Sequence, residues 1–128
     1  MERTNYASGS PLEEVAGYSR AVKVGNMIYV GGTTSVLPDG SVAGEGDSYA
    51  QMKFILDKMI GMVEKAGGSV ETVYSVDMFT TDDFDGAEGF KAYTEYFKEI
   101  KPLCTSVKIA GLNRPTQLVE VKMSAYVK

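Results

Sequence analysis

The sequence predicts an α+β domain with a single mixed β-sheet and two helices packed on one of its faces, and three observations lead there. Two stretches, Met52 to Ala66 and Ala87 to Ile100, repeat apolar residues every three or four positions. The stretches around and between them alternate polar with apolar, or run apolar over strand lengths. At 128 residues with 44% hydrophobic content, the chain can close one core, so residues 1–128 form one domain.

Taken in order, Ala21 to Val24 and Met27 to Gly31 flank Gly25-Asn26, a two-residue turn that predicts a hairpin. Pro38-Asp39-Gly40 marks a turn that opens a loop, with a candidate short strand at Ser41-Val42-Ala43. The first helix starts after Asp47-Ser48, where Ser48 and Gln51 have capping-box spacing. It presents Met52, Ile55, Leu56, Met59, Met62, Val63 and Ala66, and Gly67-Gly68 stops it. Val73 to Thr80 is the next strand. The second helix starts near Asp82-Asp83, presents Ala87, Phe90, Tyr93, Phe97 and Ile100, and ends before Pro102. Cys104 to Ala110 and Leu118 to Val127 are the last strands, giving the order β-β-α-β-α-β-β.

Alternation assigns faces. In the last strand Val119, Val121, Met123, Ala125 and Val127 point to the helices, and Glu120, Lys122, Ser124 and Tyr126 point away. Cys104, Ser106 and Lys108 are expected on that same polar face. A small sheet covered on one side predicts burial of its open side against further copies of the chain, with sites between subunits.

Composition excludes several functions. A net charge of −4 and three scattered arginines, Arg3, Arg20 and Arg114, do not make a nucleic-acid surface. There is no apolar run long enough to cross a membrane, Met1-Glu2-Arg3-Thr4-Asn5 lacks the apolar core of a signal peptide, and one cysteine forms no internal disulfide, so a cytoplasmic protein is expected. The chain has no histidine. Imidazole-activated nucleophiles and histidine metal sites are therefore excluded within one chain, and thiolate zinc sites fail for want of cysteines. No metal or cofactor is expected. Proton transfer falls to Asp, Glu, Lys, Tyr, Cys or bound water.

Spaced segments over nearly the whole chain resemble the RidA/YjgF family, small trimeric proteins once called L-PSP endoribonucleases. They are Gly17-Tyr18-Ser19-Arg20-Ala21-Val22, Ile28-Tyr29-Val30-Gly31-Gly32-Thr33, Gln51, Ala66-Gly67-Gly68, Val76 to Asp82, Tyr96-Phe97, Pro102, Val107 and Val119-Glu120-Val121. The resemblance implies a chorismate-mutase-like fold, a homotrimer, and small-molecule clefts between subunits. It also implies hydrolysis of enamines or imines, such as 2-aminoacrylate, to a keto acid and ammonia. By position, Glu120 corresponds to the glutamate that activates water, Tyr18 to the pocket tyrosine, and Gly31 and Gly32 to the hairpin glycines.

The family's arginine, which clamps the substrate carboxylate through a planar fork, falls at Cys104. The chain thus resembles the arginine-lacking subgroups. Ser106 stands where a cysteine is common, and Lys108 or Lys122 is a candidate replacement cation.

Each candidate also has a plainer reading. Cys104 is either a reactive thiol or a small residue filling the arginine's space; a neighbouring Glu120 would disfavour its thiolate. Glu120 is either the acid/base or an interfacial carboxylate paired with a lysine. Tyr18 lines the pocket or packs after a turn, and the glycines admit a ligand or another strand. The methionines of the first helix read as core, and Asp82, Asp83 and Asp85 as helix capping rather than a calcium loop. Two functions follow: an enamine or imine deaminase with Glu120 as acid/base, or a metabolite-binding protein without catalysis. Ribonuclease activity fits poorly with an acidic, histidine-free chain.

Overall fold

The computed structural model describes residues 1–128. Its elements run β1 (Arg3–Tyr6), α1 (Pro11–Ala16), β2 (Ala21–Val24), β3 (Met27–Thr33), α2 (Ser48–Lys65), a 3-10 turn (Val70–Thr72), β4 (Val73–Thr80), α3 (Gly86–Phe97), β5 (Leu103–Lys108) and β6 (Val119–Tyr126). One six-stranded sheet has the order β1-β2-β3-β6-β4-β5. Only β4 and β5 run parallel, as α3 crosses over between them. The mixed sheet and the two long helices are as expected.

The β2–β3 hairpin turns at Gly25-Asn26, and Gly25 takes a φ of 59°, which explains the glycine there. From α2, Met52, Ile55, Leu56, Met59 and Val63 pack with Ala92, Tyr93 and Phe97 of α3. They cover Ile28 and Val30, Val76 and Met78, and Val119, Val121, Met123 and Ala125 of the sheet. The methionines are core, and no helix is long and apolar enough to cross a membrane.

Several local details differ from expectation. β1 and α1 precede the expected first strand. The cap of α2 is Asp47, whose carboxylate accepts from the Ala50 amide at 2.9 Å, in place of the Ser48–Gln51 box. Gln51 is freed for another task. Fully buried, it donates to the Gly44 and Thr116 carbonyls and accepts from the Leu118 amide, tying α2 to the entry of β6. Ser41–Ala43 contributes a single bridge, Val36 to Val42, rather than a strand. Helix α3 is capped by Asp85 and ends at Phe97, one turn before Pro102.

Candidate functional site

The site grows from an irregularity where β3 meets β6. Val30 pairs with Met123 and Thr33 with Val121, so β3 carries one residue more than β6 over this span and bulges. The two residues inside the bulge are Gly31 and Gly32. A Cβ added to Gly32 would stand 2.7 Å from Glu120 Oε2 and 3.1 Å from its Cδ, so only glycine leaves this carboxylate its place. At Gly31 a Cβ would press on the Arg20 carbonyl at 3.3 Å, and the Gly31 amide donates to that same carbonyl at 2.8 Å.

Glu120 is half-buried on the face of the sheet away from the helices, beside Phe79 of β4. The two side chains form one wall of a cleft of about 420 Å³. Thr34, Ile109, Leu112 and Gln117 contribute to the rest. Gln117, 4% exposed, donates to Thr34 Oγ1 at 3.1 Å and accepts from the Arg114 amide at 3.0 Å, which fixes the β5–β6 loop over the cleft.

Tyr18 lies on a second, polar cleft of about 460 Å³ with Arg3, Asn5 and Glu14. Between Tyr18 and Gly32 stands Arg20, which lines neither cleft. Its guanidinium stacks on the Tyr18 ring at 5.6 Å, and Nη1 donates to the Gly32 carbonyl. Glu13 of α1, only 5% exposed, stands 3.5 Å from Arg20 Nε. Burial opposes ionisation of Glu13, yet the Ser8 hydroxyl and amide and the Arg20 charge together hold its carboxyl below the usual carboxylate range. Nearby, desolvation and the Arg20 charge push the Lys58 amine down.

The structure thus brings Gly31, Gly32 and Glu120 together and places Tyr18 on the other cleft, connected to them through Arg20. It does not bring Cys104 and Ser106 there within one chain. In the parallel pairing Cys104 lies beside Val76 and Ser106 beside Met78, both on the helix-covered face. Glu120 lies beside Phe79 on the open face, so the expected coincidence of the two polar faces is corrected. Three residues along β4 and two strand spacings also separate Cys104 from Glu120, about 10 Å in each direction. The exposed Cys104 thiol instead neighbours Tyr93 of α3; burial and the hydrogen bond with that thiol push the Tyr93 hydroxyl up. Of the two candidate lysines, Lys108 pairs with Asp82 at 3.7 Å on that same helix-side face. Lys122 shares the open face with Glu120, exposed and opposite Asp77.

Sequence reasoning missed Arg20, Glu13, Phe79 and Gln117. Gln117 and Glu13 carried no signal, since burial of one polar side chain depends on contacts far along the chain. Arg20 did carry one: it follows Tyr18 by two positions and precedes a strand that pairs with the glycine-bearing strand.

Comparison with known proteins agrees with this architecture. The family described as "Endoribonuclease L-PSP" matches residues 9–127. A RutC family protein of Pyrococcus abyssi is 33% identical over 112 residues, which cover 88% of this chain and 87% of that protein. The 3-aminoacrylate deaminase RutC of Acinetobacter baylyi is 32% identical over 113 residues, 88% of this chain and 89% of that one. Among solved structures, Rv2704 of Mycobacterium tuberculosis, a member of the YjgF/YER057c/UK114 family, superposes with a TM-score of 0.86 at 31% identity. That match covers 98% of this chain and all of the other.

Proposed function

The chain belongs to the endoribonuclease L-PSP family, the RidA/YjgF proteins, and from that premise we propose that it hydrolyses a small enamine or imine at clefts completed between the subunits of a homotrimer. The observation that carries the reading is the Glu120 carboxylate seated against Gly32 at the wall of a cleft, where any side chain at position 32 would collide with it. The first candidate substrate is 3-aminoacrylate, on which the Acinetobacter relative acts by its name.

The chemistry asks little of the protein beyond one acid/base group. A proton from solvent adds to the enamine at carbon and gives an iminium, and water adds to the carbon bearing nitrogen. Glu120 takes a proton from that water and returns it to the nitrogen. The C–N bond then breaks with its electron pair leaving on nitrogen as ammonia, and the hydroxyl proton returns to solvent as the carbonyl forms. Exclusion of bulk water by a neighbouring subunit would strengthen each of these electrostatic contacts.

Support for the trimer comes from the uncovered open face, where Tyr29, Tyr126, Leu103 and Val107 are each more than 40% exposed. In this reading Cys104 and Ser106 line the cleft from the β5 edge of a neighbouring copy. The test is ammonia release from freshly generated 3-aminoacrylate, compared with the Glu120→Gln variant. A metabolite-binding protein without catalysis is the second reading, favoured by Cys104 standing where the family has its arginine. It predicts saturable binding with no product.

A further inference from the structure

We infer that Arg20 is a positioning residue for Glu120: braced by the buried Glu13 carboxylate, it pins the Gly32 peptide on which the Glu120 carboxylate rests. Its effect on turnover rests on the enamine reading; its effect on where the carboxylate sits does not.

The bulge makes a pin necessary. Val30 and Thr33 pair with β6, but Gly31 and Gly32 fall between those pairs. Their peptides therefore need partners outside the β3–β6 ladder, and adjacent glycines resist displacement less than any other residues. Arg20 grips them twice. Its carbonyl accepts from the Gly31 amide at 2.8 Å, and its Nη1 donates to the Gly32 carbonyl. The Thr33 hydroxyl holds the other carbonyl, donating to Gly31 at 2.9 Å.

The guanidinium itself has little freedom. Its side chain is 13% exposed, Nε stands 3.5 Å from the Glu13 carboxylate, and the Tyr18 ring lies 5.6 Å away. Glu13 is tied in turn by the Ser8 amide at 3.0 Å and by the Ser8 hydroxyl. A charge pair this buried is poorly screened, so the brace is firm. Arg20 lines neither cleft, and its influence on the chemistry passes through Gly32 to Glu120. A Cβ at position 32 would lie 2.7 Å from Glu120 Oε2 and 3.5 Å from its Cγ, so a peptide that moves there displaces the carboxylate.

The test uses Arg20→Lys, which keeps a cation beside Glu13 but lacks the planar fork that spans Glu13 and Gly32. Ammonia release from 3-aminoacrylate is measured for the natural chain, Arg20→Lys, Glu120→Gln and the double variant. We expect Arg20→Lys to lower kcat about tenfold with KM within about twofold, because no substrate contact is lost. In the Glu120→Gln background the same substitution should change kcat by less than about twofold, since no carboxylate remains to be positioned. Equal losses in both backgrounds would show a general structural role, and a rise in KM alone a binding one. Either result, or an unchanged kcat, overturns the inference.

A second readout needs no turnover. Glu120 Cγ lies against Gly32, so the natural chain should show a nuclear Overhauser effect between Gly32 Hα and Glu120 Hγ. Arg20→Lys should weaken it several-fold. Glu13→Gln, which loosens the brace and keeps Arg20, should weaken it in the same direction and serves if Arg20→Lys fails to fold. An unchanged effect in the folded variants overturns the inference, whether or not ammonia is released. If the effect weakens as expected but the natural protein releases no ammonia, the enamine reading falls and Arg20 still positions Glu120.

Discussion

The Glu120 carboxylate rests on the backbone of Gly32, close enough that a methyl group there would stand 2.7 Å from Oε2. This contact joins the two central strands at their one bulge and fixes the carboxylate beside Phe79. It also makes the site sensitive to the smallest substitution.

Gly32→Ala should displace Glu120 without unfolding the chain, because the obstructed atoms are the end of a flexible side chain. Turnover is expected to fall about a hundredfold, as for a catalytic group misplaced by about 1 Å. Stability should fall by less than about 3 kcal/mol. Steady-state kinetics beside urea unfolding separate the two effects.

Glu13 gives stability a defined acid dependence. Folding lowers its pKa from the ordinary 4.5, so its contribution is fully present above that value and is lost as pH falls through the lower folded value. Unfolding free energies at neutral pH and below pH 4.5 should therefore converge between the natural protein and Glu13→Gln as the solution is acidified. Parallel curves would contradict this.

Gln51→Leu should destabilise the chain more than a typical surface change. It strands the Leu118 amide and the Thr116 carbonyl, at a cost of about 1–3 kcal/mol per unpaired group, while the Gly44 carbonyl keeps the Asp47 amide at 2.9 Å. Because Leu118 leads into β6, amide exchange should rise there first, which hydrogen-exchange mass spectrometry can follow.

The open face predicts the assembly. Native mass spectrometry should give three times the 13.8 kDa of one chain. Tyr29→Glu, which places charge among the uncovered apolar residues, should dissociate it while the circular dichroism of the fold is retained.

How much the residues disclosed follows from where burial leaves a pattern. α2 and α3 bury one face each, so their periodicity was plain, and β6 alternates strictly because one side packs on the helices. β1 went unseen because Arg3, Thr4 and Asn5 are exposed on an edge, and α1 because only Glu13 of its six residues is buried. β5 was assigned the wrong face for a related reason. Every one of its residues is exposed, so alternation alone could not tell inside from outside, and the pairing with β4 decided. In the site, Gly31, Gly32 and Glu120 were legible, whereas the Arg20–Gly32 contact depends on a hairpin register that no local pattern encodes.

The most direct test of the account is ammonia release from 3-aminoacrylate above its spontaneous rate, measured for the natural protein and for Glu120→Gln. The account predicts saturable acceleration that Glu120→Gln lowers about a hundredfold or more, with its fold intact. Equal rates for the two proteins, or no acceleration by the folded natural protein, would contradict it.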